Sequence, residues 1–230
     1  MKKIIAIILA ITCAFALFSC GEDEVGASVA SVNEMYKNSA PTKTVVTTVK
    51  DVGGEQYNGL YTLITGKVGG AVATQYTYEY EVLRSVEEGA GSNILGAKEV
   101  KKGSKEFLDG KGVRVNGGAW DAEGYNFAPV GGAIAVNLDT SNIKDPVFEN
   151  GKLTFKVAPD KALAVFGTVL DADLEEGAIA ADIDVVITCA GSVVTGIKIV
   201  YTVDGEGDYP DSTITVEAKY SYDLQKITMK

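Results

Sequence analysis

The chain has 230 residues, with 31 acidic against 21 basic side chains, a net charge of −10, three cysteines and no histidine. A chain this acidic repels phosphate backbones, so nucleic acid is disfavoured as a partner. It also repels anionic headgroups, so membrane contact is expected through an anchor and not through a basic patch. Without imidazole, histidine-based serine and cysteine triads and histidine-ligated zinc sites are excluded.

Lys2 and Lys3 open the chain, and residues 4–18 form an uncharged apolar run of 15 residues. That run fits the apolar part of an export signal and falls short of the roughly 20 residues a spanning helix needs. It ends in Leu17-Phe18-Ser19-Cys20-Gly21, which resembles the bacterial lipobox. Phe18 is bulkier than usual at its position, while Ser19 and Cys20 agree. The resemblance implies a diacylglyceryl group on the Cys20 sulfur and removal of residues 1–19. An ordinary secretory signal would expect a small residue three before the cut and gives no reason for a cysteine there. A single-span anchor is opposed by Glu22, Asp23 and Glu24, which follow at once, and by the lack of a basic stop-transfer cluster.

The expected product is an extracytoplasmic lipoprotein, held on the outer side of the cytoplasmic membrane or on an outer membrane. In a two-membrane host, Gly21 is not the aspartate that signals inner-membrane retention. Each buried methylene contributes about 0.8 kcal/mol, so two or three acyl chains anchor stably. Cleavage takes Lys2 and Lys3 and no acid, leaving 19 basic against 31 acidic residues, a net −12. Cys13 leaves with the signal and lipid occupies Cys20, so Cys189 has no disulfide partner within the chain. Cys189 reads as a small buried apolar residue, and stability is left to a packed core.

Residues 20–30 read as a lipidated, acidic, glycine-containing tether, and residues 31–230 as one β-rich domain. A short helix is expected over 29–38, with Val32, Met35 and Tyr36 at helical spacing, ended before Pro41. From Thr44 the period changes to two. Residues 44–50, 57–67 and 72–84 are rich in Val, Thr, Tyr and Ile and are joined at Gly53-Gly54 and Gly69-Gly70, which predicts hairpin-linked antiparallel strands. In the third, Tyr76, Tyr78 and Tyr80 share one face, with Thr77, Glu79 and Glu81 on the other. Residues 87–110 are weakly patterned and read as a long excursion. A strand over 112–116, a short helix over 133–143, a strand over 153–157 and a helical turn over 159–166, opened by Pro159 or Asp160, follow. Residues 183–189, 193–203 and 213–222 alternate most clearly and are read as three strands. The inferred fold is α+β: one large curved antiparallel sheet, a half-barrel, with short helices on its concave face.

This order of parts resembles the LolA-type and LppX/LprG-type lipoprotein and lipid carriers. The residues that carry the likeness are 36–43 leading into a strand, Leu60 to Gly66 as the next, Phe155-Lys156-Val157 before the insertion at 159–166, and the closing hairpins over 183–222. The resemblance lies in layout and implies an apolar cavity between sheet and helices that accepts an acyl chain.

Catalytic chemistry has few candidates, and neither enzymatic activity nor a cofactor is expected. Ser141-Asn142-Ile143-Lys144 spells S-x-x-K, the nucleophile motif of penicillin-binding proteins, but the K-T-G partner is absent. Residues 204–211 alternate carboxylates, yet position six is Tyr209 where a calcium loop wants glycine, so a solvated turn is the expected reading and no metal is assigned. Asp171, Asp173, Glu175 and Glu176 read the same way. Tyr76, Tyr78 and Tyr80 are the candidate ligand-binding residues. They are expected to line the inner face of the sheet, with an exposed platform for sugar rings as the alternative. The expected role is non-enzymatic binding or carriage of a lipid or other hydrophobic ligand at the cell envelope. The alternative is a structural or adhesive module gripping glycan or a partner protein.

Overall fold

The computed structural model describes residues 22–83, 98–122, 136–167, 179–205 and 210–229. Residues 1–21, with the signal region and Cys20, lie outside them, as do the acidic cluster over 171–176 and residues 206–209. Ten strands form a single antiparallel sheet in the order β5-β4-β3-β2-β1-β10-β9-β8-β7-β6. They are β1 (Lys43–Val52), β2 (Glu55–Val68), β3 (Ala71–Leu83), β4 (Lys98–Leu108), β5 (Gly112–Val115), β6 (Lys144–Glu149), β7 (Lys152–Val157), β8 (Ile183–Ala190), β9 (Val193–Val203) and β10 (Ser212–Ser221). Helix α1 (Glu22–Asn38) precedes the sheet, and a 3-10 turn (Pro159–Lys161) runs into helix α2 (Ala162–Phe166). The expected α+β architecture, one antiparallel sheet with a few helices, is the observed one.

The hairpins follow from turn chemistry. Gly53 and Gly54 have φ of 59° and 91°, and Gly69 and Gly70 have 59° and 90°. Positive φ at both central residues is what a two-residue turn needs to match strand twist, and glycine adopts it without steric cost.

Helix α1 starts at Glu22, so it takes in most of the residues read as a tether. It buries Val29, Val32 and Met35 and packs on β6, β7 and β9. Each of those side chains contributes about 1.5–3 kcal/mol on full burial. Asn33 pins the helix to the passing chain: its side-chain amide donates to the Leu138 carbonyl, and the Leu138 N–H donates to its Oδ1 at 3.2 Å. The helix ends where the Ser39 hydroxyl donates to the Met35 carbonyl at 2.5 Å.

Three sequence expectations are corrected. Residues 98–108 are a full strand, β4, where an excursion was expected; its alternation is hidden because Lys98 and Lys102 lie on one face and Lys101 and Lys105 on the other. Residues 136–143 are not helical. Val136 and Leu138 are buried at a spacing of two, held out of a helix by Asn33 and by the Asn137 N–H donating to the Val165 carbonyl at 2.8 Å, and residues 140–142 form a turn. Strand β6 was not anticipated, because Pro146 sits inside it. As an edge strand it tolerates proline, and it carries a register shift between Lys144 and Val147, with Asp145 at φ 49°. The helical turn at 159–166 is present; no side chain caps it, and Pro159 opens it.

The main core lies between the helices and one face of β7–β10. Leu153, Phe155, Val157, Ile183, Val185, Ile187, Ile197 and Ile199 meet Val29, Val32, Val165 and Phe166 there. A second, smaller core sits at the far end of the sheet, on its other face: Ala73, Leu108 and Ile227, with Ile64, Val68 and Trp120 packed against them. The chain's last described residues close it, the Thr228 carbonyl accepting from Gln75 Nε2 at 3.1 Å. Arg114 stands over the Trp120 ring at 4.7 Å and pairs with Glu106 beneath it.

Candidate functional site

The registers draw one row of side chains across nine strands, all on the same face. From β4 to β6 it reads Gly103, Tyr78, Tyr61, Val46, Ala218, Ile197, Ile187, Leu153 and Phe148. The row is sealed from Ala218 to Leu153, where each residue is at most 2% exposed. It is half-exposed at Val46, Tyr61 and Tyr78. Tyr76, Tyr78 and Tyr80 therefore lie on the face that the helices cover elsewhere, and not on its reverse.

Sequence reasoning identified three of the four tyrosines that meet there. Tyr61 of β2 stands opposite Tyr78, its ring 6.4 Å from that of Tyr76 and 6.2 Å from that of Tyr80. Tyr76 and Tyr80 each lie 5.9 Å from Tyr78. All four spacings are within the favourable range for aromatic pairs. The missed member was legible: counting eight residues outward from each glycine of the Gly69-Gly70 turn reaches Tyr61 and Tyr78.

Two glycines make room for the rings. A Cβ on Gly103 would lie 2.5 Å from the Tyr78 hydroxyl oxygen, and one on Gly59 would lie 2.3 Å from Thr48 Oγ1 and 3.0 Å from the Tyr61 ring. Tyr78 thus leans across the neighbouring strand. Burial, and after it the phenols of Tyr61, Tyr78 and Tyr80, raise the pKa of Tyr76. On the reverse of the tyrosine face lies a hollow of about 520 Å³, bordered by Leu60, Thr77, Glu79, Lys102, Ser104 and Asn116.

The other candidates are placed as follows. Ser141 Oγ donates to Asp139 at 2.8 Å, while Lys144 Nζ pairs with Asp182 at 2.9 Å, so the two groups that S-x-x-K would couple are each turned to a different carboxylate. Asp211 Oδ1 accepts from the Gly205 N–H at 2.9 Å, and β9 and β10 pair as a hairpin on either side of it. Among the described residues no group of three or more carboxylate or thiol side chains is arranged to hold a metal ion. Burial pushes the Cys189 thiol up to about 11. Beside it, the Tyr36 hydroxyl is buried with no hydrogen-bond partner. Its pKa lies well above the ordinary value, through burial first and then through Tyr220, Cys189 and Tyr222.

No protein-family model matches the chain, and no curated protein matches it. Among solved structures, the crystal structure of a DUF1329 family protein from Desulfovibrio piger is similar at a TM-score of 0.27 and 8% identity, over 88% of this chain and 95% of that one. At that score the similarity carries no argument about what this chain does.

Proposed function

We propose that the protein is a lipoprotein, anchored outside the cytoplasm through Cys20, that binds a lipid or other hydrophobic ligand without enzymatic turnover. The observation that carries the ligand half is the continuity of one face. The row that is aliphatic and sealed over β7–β10 runs on as half-exposed Val46, Tyr61 and Tyr78 over β1–β3. Burial of apolar surface is worth about 25 cal/mol per Å², so an extended apolar ligand laid along that row gains from the part the helices leave open. The order of parts in the sequence, which resembles that of LolA-type and LppX/LprG-type carriers, supports the same reading. The resemblance of residues 17–21 to a lipobox supports the anchor.

Native mass spectrometry of gently purified protein tests the ligand half: co-purifying acyl adducts are expected, and a ligand-free protein that takes up no added lipid would sink it. Labelling with palmitate, with Cys20→Ser as control, tests the anchor separately. Label on the unaltered chain alone is expected, and label on neither overturns it.

The second reading, a surface module for glycan or a protein partner, is favoured by the hollow on the reverse of the tyrosine face. Its border mixes Leu60 with Thr77, Glu79, Lys102, Ser104 and Asn116, a polar rim that suits hydroxylated rings. A glycan array that stays blank removes its sugar-binding form.

A further inference from the structure

The reverse of the tyrosine face closes most of its charges on each other and leaves two open. At the register positions on that side, β3 to β5 carry Glu79, Glu81, Lys98, Lys102, Glu106 and Arg114. Lys98 pairs with Glu81 at 3.9 Å, and Arg114 pairs with Glu106. Glu81 also accepts from the backbone and side-chain amides of Asn58 at 2.8 and 2.9 Å. Glu79 and Lys102 stand directly opposite one another, yet neither makes an ion pair or a hydrogen bond among the described residues. Both are exposed, and both border the hollow of about 520 Å³, a volume within the range of small-molecule sites. The next positions along that side are Thr77 and Ser104, again opposite each other, with hydroxyls that bond to no protein group among the described residues. Asn116 is clamped to the same strand: its Oδ1 accepts from the Ser104 N–H at 2.8 Å, and its own N–H donates to the Ser104 carbonyl at 2.9 Å. That fixes the amide and leaves its Nδ2 donors unused. Leu60, 47% exposed and opposite Glu79 on β2, supplies an apolar wall.

We propose that this hollow binds one uncharged sugar ring, with the Glu79 carboxylate accepting from its hydroxyls and the Lys102 ammonium donating to a neighbouring one. The proposal rests on the surface-module reading above and names its ligand class and its residues. The two pairs of opposed positions cover about 7 Å along the strands and about 5 Å across them, the footprint of a single ring. Vicinal hydroxyls both donate and accept, so one ring serves a carboxylate, an ammonium, two hydroxyls and an amide together. Its C–H face lies against Leu60. A ligand with net charge is attracted by one member of the Glu79 and Lys102 pair and repelled by the other, so the uncharged ring is favoured. Exposed ion pairs contribute little, so the two side chains give up little when they turn to a ligand, and the charge-assisted hydrogen bonds they then make are the strong kind.

The test uses the full chain and the methyl glycosides of glucose, galactose and mannose, titrated by saturation-transfer NMR. The uronic acid and 2-amino counterparts of the ring that binds tightest follow. The neutral ring is expected to bind at about 1 mM, the scale for a ligand of that size, and each charged counterpart about threefold more weakly. Glu79→Gln should weaken the neutral ring about tenfold, the scale of one hydrogen bond to a charged group, and make the uronic acid, facing Lys102 alone, the preferred ligand. Lys102→Gln should make the amino sugar preferred. Both side chains are exposed and unpartnered in the protein, so both variants keep the fold. A charged counterpart that binds the unaltered chain as tightly as the neutral ring, or neutral binding that neither variant changes, overturns the site and leaves the surface-module reading standing. Binding of no ring overturns both the site and the sugar-binding form of that reading.

Discussion

Over β7–β10 the inner face of the sheet carries Leu, Ile, Val and Phe, pressed under two helices. Over β2–β4 the same face carries five tyrosines, three lysines, two glutamates and two glycines. Both regions share the strand geometry and the antiparallel register, so the backbone does not make the difference. What lies on top does. Where a second layer excludes water, branched aliphatic side chains interlock and nothing polar is needed. Where water reaches, tyrosine offers an apolar ring with a hydroxyl that stays solvated. The composition of a face therefore reports whether the protein covers it or leaves it for something else to cover.

Truncation separates the two regions most sharply. Leu153→Ala, at a fully buried position, is expected to cost about 2–5 kcal/mol in urea denaturation, because it leaves a cavity the helices cannot fill. Tyr36→Phe has the opposite sign. It removes a buried hydroxyl that has no partner and should raise stability by about 1 kcal/mol. Its pH signature is specific. The folded pKa of Tyr36 lies well above the ordinary 10.0, so its contribution is full below pH 10 and is lost as the pH rises toward the folded value. Tyr36→Phe should flatten the alkaline fall in stability, and Tyr76→Phe, at a half-exposed ring, should flatten it less. An unchanged alkaline limb in Tyr36→Phe would show that the phenol is not sealed.

Tyr78→Ala is expected to cost only about 1–2 kcal/mol, since a half-exposed ring gives up part of its burial and two ring contacts. A loss as large as that of Leu153→Ala would mean that the tyrosine face is itself a sealed core. The smallest effect is chemical. With its pKa raised to about 11, Cys189 should react with a maleimide at pH 7 far more slowly in the native protein than in urea. Equal rates would place the thiol in solvent.

Where local pattern and tertiary outcome agree, the elements were readable. The three closing strands alternate cleanly because one side of each is buried. The first three strands are punctuated by glycine pairs whose turn geometry admits little else. β4 escaped because lysines stand on both of its faces, and polarity carries no period when neither side is fully covered. Residues 133–143 read as helical from Ile134, Leu138 and Val136, but Asn33 and Val165 hold Asn137 and Leu138 in extended chain from 105 and 28 positions away, a contact no local window contains. At the site, the tyrosine stripe was visible in alternation alone. Tyr61 needed the hairpin register, and the lysines facing the stripe needed β4 to be recognised as a strand.

An open sheet has margins, and a margin with a run of unsatisfied amides can recruit a strand from another molecule. At β6 that run is interrupted. Pro146 has no N–H to offer, Asp145 turns the backbone into the left-handed region, and the register slips before Val147. Copies gathered side by side thus meet a border that cannot zip, which keeps lateral fibre growth from starting along this flank.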